Sequence, residues 1–323
     1  MSLDAPAPQP APSPVPRHDV PVGGRSGFAV IDGRQVHYLE WGHGALPAVL
    51  CLHGGGQTAY MFEELGAALG DRYHLLAPDL PDHGDSDPID DVLAPGTIAA
   101  TLPAFMDAFG LARAAFVGAS LGGLASIRFA EGHPGRVASI TLIDVGHRLE
   151  PEGVRRIIDF MAAHESFASL EEAAAEIARY LPQRRQVRPE RLTRNLRQRA
   201  DGRWEWKHGF GRRLRAAATG QHPAATGQHP AATGQHPADN LGTFLDGIGE
   251  AARGLRCPVL VLRGDRSDVL SQQGAEEVAA LIPGARLETV SQAGHLAAGD
   301  NPHSTVGLVA RFLDEQRWTS AAP

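Results

Sequence analysis

One serine stands in a setting that would make its hydroxyl a nucleophile. Ser120 is the centre of the pentapeptide Gly118–Gly122 (GASLG), which follows the apolar run 114–117 and precedes an apolar stretch with helical spacing. The order strand, G-x-S-x-G and helix is typical of a nucleophile elbow, a sharp turn that exposes a serine. Glycines suit this strained turn because it has no space for a side chain at these two positions. We therefore predict that Ser120 attacks a substrate.

A serine hydroxyl is a weak nucleophile at neutral pH and needs a neighbouring base. Of the 15 histidines, His295 directly follows the last predicted core strand, in a Gly-His pair surrounded by small residues. A tight loop of this kind would deliver the imidazole to the serine. We expect His295 to be the base, and His303, at the start of the last predicted helix, is the weaker alternative.

A carboxylate should hold the imidazole in the correct tautomer and offset its charge. Two candidates follow the strand predicted at 258–264, namely Asp265 and Asp268. We favour Asp268, since the two apolar residues after it would fix its loop against the core, whereas Asp265 fits a turn position. Asp144, at the end of the preceding strand, is a third and less favoured candidate.

Acyl transfer also needs two N–H donors that stabilise the developing alkoxide. Leu121, the residue after the serine, is expected to supply one of them. The segment 53–56, His-Gly-Gly-Gly, follows another predicted strand and is typical of the loop that supplies the second. We expect this donor to be Gly55, with Gly56 as its rival.

The surrounding elements predict an α/β fold: a mainly parallel sheet with helices on both faces. Two apolar segments joined by Asp32-Gly33 predict a β-hairpin, since Asp-Gly favours a tight turn. Ser120 then lies at the carboxyl edge of the sheet, where open α/β sheets bind ligands. The predicted strands are 28–31, 36–41, 48–52, 74–79, 114–117, 137–144, 258–264 and 286–290, and the predicted core helices are 62–69, 97–109, 272–281 and 304–315.

The alternation of strands and helices stops in the middle of the chain, which divides it into parts. Residues 25–146 and 258–318 form the predicted core, and residues 147–257 form a predicted helical lid over the carboxyl edge of the sheet. Residues 1–24, rich in Pro and Ala, are expected to be a disordered tail. The helices predicted within the lid are 154–164, 170–181, 191–199 and 241–255.

Two tryptophans of the lid, Trp204 and Trp206, flank Glu205. Their alternation directs both indoles to one side, either into the lid's own packing or into the substrate pocket. Packing is the favoured interpretation, because a buried indole contributes a large apolar area. A place for Trp204 and Trp206 in the substrate pocket is the alternative.

Composition narrows the class of protein. A net charge of −7 argues against a nucleic-acid-binding protein. The chain has neither a G-x-x-x-x-G-K loop nor a G-x-G-x-x-G motif after its first strand, and the predicted catalytic groups need no metal, so we expect no cofactor. No apolar run reaches the ~18 residues of a membrane helix. Cys51 and Cys257 are predicted to be buried thiols, which favours a cytoplasmic protein with a small-molecule substrate and no membrane partner.

These motifs resemble the α/β-hydrolase superfamily, from about residue 27 to residue 317 outside the repeat described below. The resemblance is carried by the elbow, by His53-Gly54, by the segment from Asp79 to Gly84 and by Gly294-His295. Within that superfamily the chain is similar to the lidded esterase, haloperoxidase-like and C–C hydrolase groups. The superfamily's epoxide hydrolases and dehalogenases have an aspartate where Ser120 stands.

The resemblance implies a serine hydrolase that cleaves a small carboxylic ester or lactone through an acyl-enzyme. Cofactor-free haloperoxidase or perhydrolase activity, or hydrolysis of a C–C bond, is the alternative on the same triad. A receptor or regulator that keeps the fold and binds a ligand under the lid is the alternative outside the enzymes.

The lid contains three tandem copies of Ala-Ala-Thr-Gly-Gln-His-Pro at 217–237. No copy has a large apolar residue, so we expect a flexible surface insertion that buries no face. His222, His229 and His236 recur every seven residues, and a duplicated heptapeptide explains this spacing better than a metal site.

Deletion of two copies should leave the melting temperature and ester turnover nearly unchanged, because loop-closure entropy changes slowly with loop length. Thermal unfolding and an ester assay on the shortened chain check this. A loss of several degrees, or of most activity, would show that the repeat packs on the protein or gates the site.

Overall fold

A computed structural model describes residues 20–89, 94–181, 187–209 and 237–316. Within these ranges the strands are β1 (Arg25–Ile31), β2 (Arg34–Trp41), β3 (Ala48–Leu52), β4 (His74–Pro78), β5 (Ala114–Ala119), β6 (Val137–Ile143), β7 (Leu196–Gln198), β8 (Trp204–Trp206), β9 (Val259–Gly264) and β10 (Arg286–Val290). The α-helices are α1 (Glu63–Leu69), α2 (Pro95–Ala108), α3 (Leu121–Gly132), α4 (Pro151–Ala163), α5 (Leu170–Tyr180), α6 (Leu241–Leu245), α7 (Ile248–Arg253), α8 (Gln272–Leu281), α9 (Ala297–Asp300) and α10 (Pro302–Asp314).

Eight of these strands form one sheet in the order β1-β2-β4-β3-β5-β6-β9-β10. β2 pairs antiparallel with β1 and β4, and every other neighbouring pair is parallel. The predicted hairpin is confirmed, with positive φ at both Asp32 and Gly33, as a tight hairpin turn requires. The predicted fold, a mainly parallel sheet with helices, is likewise confirmed.

The central strands are apolar throughout because helices cover both faces of the sheet. Side chains alternate along β5: Phe116 packs on the face that carries α2 and α3, whereas Ala115 and Val117 pack on the face of α1 and α10. Ser120 follows the last residue of β5 at the carboxyl edge. The centre of the sheet therefore fixes the position of this serine from both faces.

The prediction of a helix over 191–199 is wrong. A 3-10 helix covers Pro189–Arg194, and then β7 pairs antiparallel with β8, with Leu196 opposite Trp206. The alternating sequence Trp-Glu-Trp favours an extended strand, and β8 gains a second neighbour where Trp204 and Phe167 exchange backbone hydrogen bonds. The short arginine-rich segment carried too weak a pattern to predict this pairing.

Two predicted segments fall largely or partly outside the described residues: positions 1–19 of the predicted tail and the repeat up to position 236. At the start of the described chain, Val22 N donates to Glu63 Oε1 (3.1 Å) and Val22 O accepts from Trp41 Nε1 (2.9 Å), so Val22 already contacts the core. Cys51 is a buried free thiol, as predicted, whereas Cys257 is a free thiol that is only partly buried. Among the helices given above, none is both long and apolar enough to cross a bilayer.

The segment between β6 and β9, called the insertion from here on, is tied to the core by an ion pair. The guanidinium of Arg194 makes two hydrogen bonds to the carboxylate of Glu63 in α1, at 2.5 and 2.8 Å. The side chains are 15% and 4% exposed, and the Arg194 guanidinium lies 4.9 Å from the centre of the Tyr60 ring. Removing the arginine would leave a buried carboxylate without its counter-charge.

Arg194→Met should therefore lower the free energy of unfolding by about 3–5 kcal/mol, the usual cost of breaking a buried ion pair from one side. Arg197→Met is the matched control, because Arg197 pairs with Glu205 but is half exposed. It should cost less than about 1 kcal/mol. Urea unfolding of both variants measures the difference, and equal costs would show that the Glu63 pair does not anchor the insertion.

Candidate active site

The turn that carries Ser120 has the strained geometry predicted from its glycines. Ser120 links β5 to α3 with φ 46° and ψ −118°, a conformation that side-chain-bearing residues rarely adopt. A Cβ atom at Gly122 would lie 2.1 Å from Leu52 O, and one at Gly118 would lie 2.6 Å from Gly122 O. Only glycine fits at these two positions, because the turn is packed directly against its neighbouring backbone.

The imidazole of His295 is held by Asp144. His295 Nδ1 lies 2.8 Å from Asp144 Oδ2, and the Asp144 side chain is fully buried at the end of β6. The same carboxylate accepts from Gly264 N (2.9 Å) and from Ser267 Oγ (2.5 Å). A buried carboxylate with three donors is fixed in position, so it orients the ring and leaves Nε2 available for a proton.

The preference for Asp268 as the partner of His295 is therefore corrected. Asp268 instead faces the insertion, where its carboxylate pairs with Arg156 in α4. The N-terminal part of α4 lies against this loop, since a Cβ at Gly153 would come within 2.0 Å of Asp268 O.

Asp265 does not hold the imidazole either. Its carboxylate accepts from the backbone N–H groups of Gln292 (2.9 Å) and Ala293 (3.0 Å), as expected for a turn residue. It therefore shapes the loop that carries His295. Burial alone would raise the pKa of Asp265, but these two hydrogen bonds hold it below its usual value.

The glycine loop after β3 lies directly beside the elbow. A Cβ at Gly54 would be 3.3 Å from Ser120 Cβ. Gly56, the rival donor, is engaged elsewhere, because its N–H donates to His83 Nε2 at 3.0 Å. Within the described chain the Gly55 N–H has no hydrogen-bond partner. Leu121 is the first residue of α3, so its N–H has no partner within the helix.

Ser120, Leu121, Gly55 and His295 all line one cavity of about 1000 Å³. The core supplies these polar groups, and the insertion supplies many aliphatic side chains together with five arginines. The aliphatic lining residues from the insertion are Leu149, Val154, Ile157, Ile158, Met161, Ile177, Leu181, Val187, Leu192 and Leu241. The site is therefore a cavity between core and insertion whose wall offers apolar contacts to a small molecule.

The structure separates the two tryptophans. Trp206 lines the cavity and stacks on His208, with ring centres 5.5 Å apart. Trp204 packs on the cluster around Phe167 and does not line the cavity. Trp206 also contacts Phe167, edge to face, so the packing role that we favoured applies to both residues.

One group of side chains in the described residues is close enough to hold a metal ion: His37, Asp79 and Asp85, whose ligand atoms lie within 4.8 Å of one another. Asp79 already accepts from His37 Nδ1 (2.6 Å), Ala59 N (2.7 Å) and Asp85 N (3.0 Å). Burial alone would raise the pKa of Asp79, but these hydrogen bonds, His37's foremost, hold it below its usual value. The arrangement is a hydrogen-bond network that fixes the loop after β4.

Sequence reasoning missed one residue of the site outright. His83 was noted only within the segment from Asp79 to Gly84, yet its ring bonds the glycine loop. Its neighbours along the chain give no hint of this partner. The contact joins the loops after β3 and β4 across 27 positions of the chain, and no local pattern predicts it.

Comparisons with known proteins agree with the fold described above. The sequence profile of the alpha/beta hydrolase fold matches residues 47–302. An esterase of Mycobacterium tuberculosis is 27% identical over 291 residues, which cover 85% of each chain. Its solved structure aligns with a TM-score of 0.66 at 25% identity, over 92% of this chain and 93% of that one.

A solved alpha/beta hydrolase from Novosphingobium aromaticivorans is 27% identical and aligns with a TM-score of 0.70, over 91% of this chain and 99% of that one. The similarity to an esterase supports hydrolase activity. Because the family profile spans well over half of the sequence and includes the elbow and His295, this chain belongs to the alpha/beta hydrolase family.

Proposed function

We propose that this protein is a serine hydrolase that cleaves carboxylic esters or lactones through an acyl-enzyme. The observation that carries the proposal is the hydrogen bond from His295, which lines the same cavity as Ser120, to the buried carboxylate of Asp144. An imidazole that a carboxylate orients toward a serine is the arrangement that activates a hydroxyl. The esterase relative supports the same chemistry.

In the proposed reaction Ser120 Oγ attacks the ester carbonyl carbon while its proton passes to His295 Nε2. Asp144 keeps the other ring nitrogen, Nδ1, protonated and stabilises the imidazolium that forms. The N–H groups of Leu121 and Gly55 stabilise the alkoxide of the tetrahedral intermediate. His295 then protonates the leaving alcohol, and a water molecule activated by the same ring hydrolyses the acyl-enzyme.

The cavity extends the expected range of substrates. At about 1000 Å³ it is at the upper end of the volumes typical of small-molecule sites. A small ester such as an acetate would leave most of its aliphatic wall without contact. We therefore propose that the preferred ester has a bulky apolar acyl or alcohol group, beyond the small esters expected from sequence.

Ser120→Ala and His295→Ala should each reduce turnover of a chromogenic ester by several orders of magnitude, and the double variant should be little worse than either. The reason is that residues of one catalytic unit are strongly non-additive. Steady-state kinetics on the three proteins, each checked for folding by circular dichroism, measure this. Additive losses, or turnover by a folded Ser120→Ala variant, would contradict the mechanism.

Separate substitution of Asp144 and Asp268 by asparagine tests which carboxylate is the partner of His295. Asp144→Asn should reduce kcat by about 10⁴, because an amide favours the wrong imidazole tautomer. Asp268→Asn makes the same chemical change at a residue that lines the cavity, and it should alter kcat only a few-fold. A large loss in Asp268→Asn with a mild one in Asp144→Asn would return the role to Asp268.

A further inference from the structure

Two buried histidines connect the glycine loop to the loop after β4. His53 bonds Gly54 O through Nδ1 (2.8 Å) and Leu80 N through Nε2 (2.8 Å). His83 bonds Pro81 O through Nδ1 (2.9 Å) and Gly56 N through Nε2 (3.0 Å). The two rings are 5.1 Å apart, and the residue between their contacts on the glycine loop is Gly55.

The hydrogen bonds determine the protonation of His83. A carbonyl oxygen only accepts, so the Nδ1 that faces Pro81 O carries the proton. A backbone N–H only donates, so the Nε2 that faces Gly56 N carries the lone pair. The ring is therefore neutral, and at 1% exposure it has little contact with solvent. His53 shows the same pattern, and burial lowers the pKa of its imidazole to about 3.

The loop that these rings hold has a demanding shape. Gly56 has φ +74°, and Met161 of the insertion lies so close that a Cβ at Gly56 would meet its Sδ at 2.4 Å. A glycine segment keeps its backbone freedom unless its ends are fixed by contacts with other parts of the protein. His83 fixes the Gly56 end by removing its N–H from the site, which leaves the Gly55 N–H as the donor of this loop.

We infer that His83 is a positioning residue for the oxyanion hole. It accepts a hydrogen bond from the Gly56 N–H and so directs the Gly55 N–H to the substrate's oxygen. This inference rests on the proposed serine mechanism. A mispositioned donor weakens binding of the tetrahedral intermediate more than binding of the neutral ester. The loss should therefore appear as a lower kcat. Loss of one whole donor typically costs 10²–10³ in kcat, and misalignment should cost about 10- to 100-fold.

Two substitutions of His83 separate its two hydrogen bonds. The side-chain oxygen in His83→Gln can replace Nε2 as the acceptor for Gly56 N. The side-chain amide in His83→Asn can replace Nδ1 as the donor to Pro81 O but offers no acceptor to Gly56. His74→Gln is the matched control, because His74 is also buried and bonds Glu40. It is the first residue of β4 and so lies away from the carboxyl edge of the sheet, where the site is.

The experiment measures kcat and KM for one ester, the melting temperature, and inhibition by an alkyl trifluoromethyl ketone and by its methyl ketone analogue. Ser120 Oγ adds to the carbonyl carbon of the fluorinated ketone, whose oxygen becomes an oxyanion, and the serine proton passes to His295. The methyl ketone binds largely without addition and so reports ground-state binding. Ser120→Ala is included to show that both turnover and tight fluoroketone binding depend on the serine.

We expect His83→Asn to lose about 10- to 100-fold in kcat and in fluoroketone affinity, with KM and methyl ketone affinity changed less than about threefold. His83→Gln should recover most of this loss, and His74→Gln should lower only the melting temperature. Equal kcat values in the Asn and Gln variants, or losses that follow melting temperature across all three, would overturn the inference. Absence of Ser120-dependent turnover in the wild type would overturn the proposed function and this inference together, whereas normal fluoroketone binding in His83→Asn would overturn the inference alone.

Discussion

The strained backbone of Ser120 is the constraint on which the site depends. A residue other than glycine at φ 46° and ψ −118° carries a cost of about 1–3 kcal/mol, and it persists only where its surroundings over-determine it. Here those surroundings are β5 in the middle of the sheet, α3 directly after it and the Ser120 N–H bonded to Ile143 O. The sheet therefore holds the hydroxyl at its edge independently of the insertion.

The other groups of the site reach Ser120 because their strands are neighbours in the sheet. β6 lies between β5 and β9, so Asp144 at its end can bond both the backbone of Gly264 and the ring of His295. On the other side, β3 brings the glycine loop against the serine. The catalytic geometry is thus a property of the strand order, and the insertion adds an aliphatic part of the cavity wall.

Much of this could be predicted from the sequence, because apolar runs and glycines act locally. The strand at 286–290 and the helix at 272–281 were predicted with their observed limits, and the elbow followed from two glycines beside Ser120. The choice among Asp144, Asp265 and Asp268 depends instead on which strand ends are adjacent in space. Sequence position alone favoured the loop after β9, whereas the donors to the buried carboxylate of Asp144 are contributed by residues more than a hundred positions away.

The central claim is that Ser120 forms the covalent intermediate, and covalent labelling tests it most directly. The protein is incubated with a fluorophosphonate, and intact mass, residual turnover and the labelled peptide are determined on the same sample. The account predicts one adduct per chain, located on Ser120, with turnover lost in proportion to labelling. An adduct on another residue, or full turnover in a protein fully labelled at Ser120, would contradict it.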